Sequence, residues 1–114
     1  MLVKCEEVGG TLVCHLEGNL EQVSAPQFRE AVAGLPNKRR VVFELSAVPF
    51  VDSAGIGALI GAVRRIREMG GDVALCSPRP SIDRVFQLVG LTRVVMVANS
   101  TGEATEHLSS PVVA

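Results

Sequence analysis

The residues whose types and spacing admit chemistry lie together in Phe50-Val51-Asp52-Ser53-Ala54-Gly55-Ile56-Gly57. Ser53 offers a hydroxyl and Asp52 a carboxylate, just ahead of a helically spaced apolar run, Ile56, Leu59, Ile60, Val63 and Ile66. The first turn of a helix carries backbone N–H groups without intrahelical partners. A side-chain oxygen there can cap the helix, and a phosphate there meets a backbone that already favours negative charge. Ser53 and Asp52 compete for the capping role, and Ser53 is the candidate phosphoacceptor.

Other chemistries are poorly equipped. Val51-Asp52-Ser53-Ala54-Gly55 has the outline of a nucleophile elbow, but Val51 stands where that turn requires glycine. A serine nucleophile also needs a base, and the only histidines are His15, inside an apolar run, and His107, near the C-terminal end. A small serine hydrolase is therefore the weakest reading, and no residue is assigned a catalytic role. Gly55-Ile56-Gly57 and Gly61 lack the Lys-Ser/Thr of a phosphate-binding loop, and Gly61 comes too late for a dinucleotide fingerprint. Gly57 and Gly61, one helical turn apart, are expected instead to let the helix approach a neighbour closely. With no CxxC pair and two histidines, no metal site is expected.

The elements that must position Ser53 can be read on either side of it. Leu2 to Val8 and Thr11 to Glu17, split by Gly9-Gly10, read as a hairpin. Ser24-Ala25-Pro26 starts a helix that Pro36-Asn37 ends, with Ser24 as its cap. Val41 to Leu45 is nearly all apolar, as a central strand should be. The helix after Ser53 stops at Gly70-Gly71. Val73 to Cys76 is a strand, Ile82 to Val89 a helix closed by Gly90, Val94 to Val97 a last strand, and Thr101 to Leu108 a short helix. The order predicts an α/β fold: a mixed, mostly parallel sheet of about five strands, an N-terminal hairpin at its edge, and three to four helices. Residues 1–114 read as one domain, with about 109–114 as a frayed tail. The apolar approach Val48-Pro49-Phe50-Val51 is long for a strand-to-helix connection, and suggests a shaped loop at the edge where α/β proteins bind.

Composition narrows the partners. The chain is 47% hydrophobic and 20% charged with a formal net charge of −1, which argues for a globule and against nucleic acid or an anionic membrane. The clusters Lys38-Arg39-Arg40 and Arg64-Arg65-Arg67 read as solvated surface. Tyr and Trp are absent, so no stacking platform for bases exists. Three cysteines, odd in number and widely spaced, fit a reducing cytosol, with Cys14 and Cys76 as buried small hydrophobes. The acidic start, Cys5-Glu6-Glu7, does not read as a signal peptide, and the expected location is cytoplasmic.

The stretch Val41 to Gly57, V-V-F-E-L-S-A-V-P-F-V-D-S-A-G-I-G, closely resembles the signature of bacterial anti-sigma factor antagonists, the stand-alone STAS-domain proteins. Gly18-Asn19-Leu20-Glu21, Gly70-Gly71, and Arg84-Val85-Phe86 through Gly90-Leu91 agree with it, so the match spans roughly residues 10 to 97. The resemblance implies a non-catalytic STAS fold without a cofactor of its own. It further implies that Ser53 is phosphorylated by an anti-sigma factor, a histidine-kinase-like ATPase acting on serine, and is reset by a serine phosphatase. Unphosphorylated, such an antagonist binds the kinase and frees a sigma factor. Glu21, Gln22, Val51, Asp52, Gly55 and Ile56 are then the candidate partner surface. Ala54 replaces a serine frequent in the family, leaving Ser53 the sole acceptor in the motif, and Glu21 stands where aspartate is common. A non-phosphorylated STAS subunit of an ABC transporter complex is the alternative.

Overall fold

In the computed structural model, which describes residues 1–109, five strands form one sheet in the order β1-β2-β3-β4-β5. These are β1 (Leu2–Val8), β2 (Thr11–Glu17), β3 (Arg40–Ala47), β4 (Asp72–Cys76) and β5 (Met96–Ala98). The hairpin pair β1–β2 is antiparallel, and each later neighbour pairs in parallel. Helices α1 (Ala25–Ala33), α2 (Ser53–Glu68) and α3 (Pro80–Leu88) are the crossovers, and α4 (Thr101–Ser109) closes the described chain. The expected mixed sheet with its edge hairpin is what forms. Of the expected tail, Ser109 ends α4 and residues 110–114 lie outside the described residues.

Strands laid down in sequential order by crossovers of one hand place every connecting helix on the same face. Phe28 and Val32 of α1, Leu59, Val63 and Ile66 of α2, and Ile82 and Phe86 of α3 accordingly share one core with Cys14, Leu16, Val41, Phe43, Leu45 and Leu75 of the sheet. Phe28 meets Phe43 edge-on at 5.3 Å between ring centres. Among the described residues, the opposite face is covered by α4, whose Ala104 and Leu108 pack with Val13, Val42, Ala74 and Cys76. Within those residues α4 lies against β3, β4 and β5, reaches Val13 of β2, and leaves β1 exposed.

Several local expectations change. Ser24 occupies the cap position of α1, but its Oγ bonds within the preceding loop, donating to the Asn19 carbonyl and accepting from the Glu21 N–H. The last strand starts at Met96 rather than Val94, because left-handed Gly90 leads into a 3₁₀ turn (Leu91–Arg93) whose Leu91 carbonyl takes the Val94 and Val95 amides. Gly70, at φ +80°, ends α2 as expected: its N–H bonds the Arg67 carbonyl and that of Gly71 the Ile66 carbonyl, a Schellman closure.

Gly57 and Gly61 do not serve close packing. An added Cβ would meet nothing within 4 Å at either, and both are exposed. Gly61 instead lines a shallow groove of about 260 Å³ between α1 and α2.

The cysteine expectation also needs correction. Cys14 is buried, but it is bonded to Cys5, because the hairpin register sets the two directly opposite with Cα atoms 4.0 Å apart. Cys76 is a buried free thiol, as expected, and burial pushes its pKa up.

Candidate functional site

Two loops at the C-terminal edge of the parallel strands are zipped together at the start of α2. The Leu20 N–H donates to the Phe50 carbonyl at 2.9 Å, the Asp52 N–H donates to the Leu20 carbonyl at 3.3 Å, and Leu20 and Val51 form an isolated parallel bridge. Contact this close demands a residue without a side chain at the crossing point. Gly55 is buried there, and a Cβ on it would stand 2.0 Å from the Leu20 carbonyl oxygen. Gly55 therefore sets the loop geometry, not a contact that a partner could touch directly.

Asp52 wins the competition for the cap. Extended at φ −104°, ψ −175°, it accepts the Gly55 N–H on Oδ1 at 2.8 Å and the Gln22 N–H on Oδ2 at 3.1 Å. One carboxylate thus caps α2 and ties down the turn that carries Glu21 and Gln22. The Gly55 N–H, followed by those of Gln22 and Ala54, holds its pKa below the ordinary carboxylate value. Ser53 is relieved of capping. It is the first residue of α2, exposed, and its hydroxyl has no hydrogen-bond partner among the described residues.

The N–H groups of Ala54 to Ile56 are not all free for an anion at Ser53: Asp52 takes that of Gly55 through its side chain and that of Ile56 through its carbonyl. A phosphate on Ser53 would sit beside a carboxylate that already occupies the helix end.

The remaining candidates surround Ser53 unevenly. Gln22 is exposed and Glu21 half-buried, in the loop tied to Asp52. Val51 and Ile56 are half-buried and pack on the core. Two further residues of these loops were missed from the sequence: Val23, 85% exposed, and Phe50, 50% exposed. Their signal was an apolar side chain in a turn where nothing of its own element could cover it.

Neither histidine serves Ser53. His15 projects from β2 onto the sheet face opposite the layer holding α2, and both ring nitrogens meet carboxylates at 3.2 Å, those of Glu44 and Glu6. Burial works against its protonation, but the hydrogen bonds and charges of Glu6 and Glu44 outweigh that and raise its pKa. Residue His107 lies on α4, which packs on that same far side. Among the described residues, no cluster of three or more His, Cys, Asp or Glu could hold a metal ion.

The STAS domain family profile matches residues 3–104. The chain belongs to the STAS domain family. Its relatives include the anti-sigma F factor antagonist of Paenibacillus polymyxa, 25% identical over 109 residues and covering 93% of each chain. Among solved structures, a candidate anti-sigma factor antagonist from Thermotoga maritima superposes with a TM-score of 0.85 at 26% identity over 95% of both chains. The Bacillus cell fate determinant SpoIIAA in its phosphorylated form superposes with a TM-score of 0.66 at 25% identity, over 93% of this chain and 98% of that one.

Proposed function

We propose that this STAS domain is an anti-sigma factor antagonist that works by binding, not catalysis, and that phosphorylation of Ser53 switches it off. The carrying observation is Ser53 itself: an exposed, unpartnered hydroxyl at a helix start whose cap is supplied by its neighbour. Relatives that are anti-sigma factor antagonists favour the same reading. The partner is an anti-sigma factor with a histidine-kinase-like ATPase domain, and a serine phosphatase resets the switch. The proposed docking surface is Glu21, Gln22, Val51, Asp52 and Ile56, shaped by Gly55, with Val23 and Phe50 as its apolar anchors. The setting is cytoplasmic, where the Cys5–Cys14 pair would be held largely as thiols.

The magnitudes favour exclusion of the partner over refolding. A phosphate adds about −1.5 to −2 charges at neutral pH. At a helix N-terminus that charge gains roughly 0.3–1 kcal/mol, and here Asp52 repels it, so the two effects on the free domain oppose each other. In an interface the same group must be desolvated beside Asp52, and a cost of about 3 kcal/mol lowers affinity roughly a hundredfold. The test is titration of Ser53→Ala and Ser53→Asp forms into the kinase, with intact mass recorded after incubation with ATP. Ser53→Ala should bind like the unmodified protein and gain no phosphate, and Ser53→Asp should bind at least about tenfold more weakly. Equal affinity of the two forms, together with phosphate on Ser53→Ala, would refute the proposal.

A further inference from the structure

We infer that the free edge of β1 is a self-association surface, on which a second copy of this chain adds its own β1 antiparallel to make one continuous sheet across a two-fold axis.

The edge is open and regular. Strand β1 is the outermost strand, pairs with β2 without interruption from Leu2 to Val8, and contains no proline or bulge. Strands meant to stay single are generally shortened, kinked, covered or guarded by charge, and of these devices β1 carries only charge, at Lys4, Glu6 and Glu7. Here, among the described residues, α4 packs over β3 to β5 and onto Val13 of β2, and β1 itself stays exposed.

The hydrogen-bonding phase of that edge follows from the hairpin. A two-residue turn at Gly9-Gly10, both at positive φ, closes on the pair Val8 and Thr11, which is then a hydrogen-bonded pair. Alternation makes Cys5 and Cys14 a pair without backbone hydrogen bonds between them, in keeping with their short 4.0 Å Cα separation. The backbone groups of Val3, Cys5 and Glu7 therefore point away from β2, toward the empty edge.

Side-chain charge then selects the register. A second β1 must pair odd residues with odd residues to use those outward groups. With the two-fold at Cys5, Lys4 faces Glu6 of the second copy twice, and Leu2 faces Val8 twice. Leu2 and Val8, 46% and 45% exposed, lie on the same outer face as that charge pair. Moving the axis to Lys4 sets Lys4 against Lys4, and moving it to Glu6 sets Glu6 against Glu6. Opposite charges and apolar pairs across strands stabilise, and like charges oppose pairing. Only the Cys5-centred register satisfies both. Glu6 also meets His15 through Oε1, but its side chain is 63% exposed and its second oxygen remains available.

An antiparallel pair of β1 strands reverses the whole sheet of the second copy. The two Ser53 loops then face opposite ends of the assembly, so self-association and docking at Ser53 do not obstruct each other.

Sedimentation and amide hydrogen exchange across a concentration series reaching about 1 mM test this inference. Mass should rise toward the dimer, and the Val3, Cys5 and Glu7 amides should slow with concentration, whereas those of Lys4 and Glu6, already bonded to β2, should not change. Lys4→Glu and Glu6→Lys should each weaken association about tenfold, and the double exchange should restore it. A protein that stays monomeric throughout, or dimerises without protecting those three amides, overturns the inference. So does a dimer indifferent to Lys4→Glu.

Discussion

Replacing Gly55 with alanine should destabilise the domain, whereas the same change at Gly57, two residues along the same helix, should stabilise it. At Gly55 the new Cβ would lie 2.0 Å from the Leu20 carbonyl oxygen and 2.8 Å from its carbon. Reaching even 3.0 Å means a retreat of about 1 Å by rigid backbone on both sides. That retreat strains the Asp52-to-Leu20 and Gln22-to-Asp52 bonds that hold the two loops together. Overpacking of this kind costs about 1–3 kcal/mol, and two weakened hydrogen bonds add roughly 0.5–1.5 kcal/mol each. Alanine returns about 1 kcal/mol through its better helix propensity. The net loss is on the order of 2–4 kcal/mol, a fall in Tm of roughly 10 °C for a domain of this size. At Gly57 nothing lies within 4 Å, so only the propensity gain of up to about 1 kcal/mol remains. Thermal and urea unfolding of both variants gives the sign and size directly. Should the two shift the midpoint in the same direction by similar amounts, the close contact between α2 and the Leu20 loop is not what glycine serves there.

Asp52→Asn should lower Tm by a few degrees at neutral pH, because a neutral amide caps less well and must choose one orientation for two N–H donors. The folded pKa of Asp52 lies below its ordinary 3.8, so its contribution is present above that value and is lost as pH falls through the folded pKa. The gap between wild type and variant should therefore close in acid, as unfolding measured across that range will reveal. His15→Gln tests the opposite sign. Its folded pKa is raised above 6.5, so the stabilisation by Glu6 and Glu44 is complete below 6.5 and disappears as pH rises through the folded value. With the His15 side chain 38% exposed, that contribution is at most about 0.5 kcal/mol after solvent screening, and paired denaturation curves at acid and alkaline pH should resolve it.

The periodicities that announce this fold are local and were readable. Glycines at 9, 10, 70 and 90 punctuate the chain because each adopts a positive φ, and the nearly all-apolar Val41 to Leu45 marks a strand covered on both faces. Ser53 could be located from its place between that strand and the apolar run of α2, since both cues lie within a few residues of it. Which neighbour caps the helix could not, because Ser53 and Asp52 are both competent caps and the winner depends on a second donor, the Gln22 N–H, thirty positions away. The roles of the glycines in α2 were likewise invisible along the chain. Gly57 and Gly61 carry the familiar four-residue spacing, yet the close approach happens at Gly55, where the β2–α1 loop crosses.

Sequence by itself determined the element order, the mostly parallel sheet and the position of the candidate serine, because strand and helix periods and turn residues act over short stretches. Tertiary structure decided that Asp52 and not Ser53 caps α2, and that Val23 and Phe50 stand exposed on the loops joined at Leu20. Each of these depends on which distant backbone arrives alongside, and that is set by strand pairing and helix packing across the whole chain.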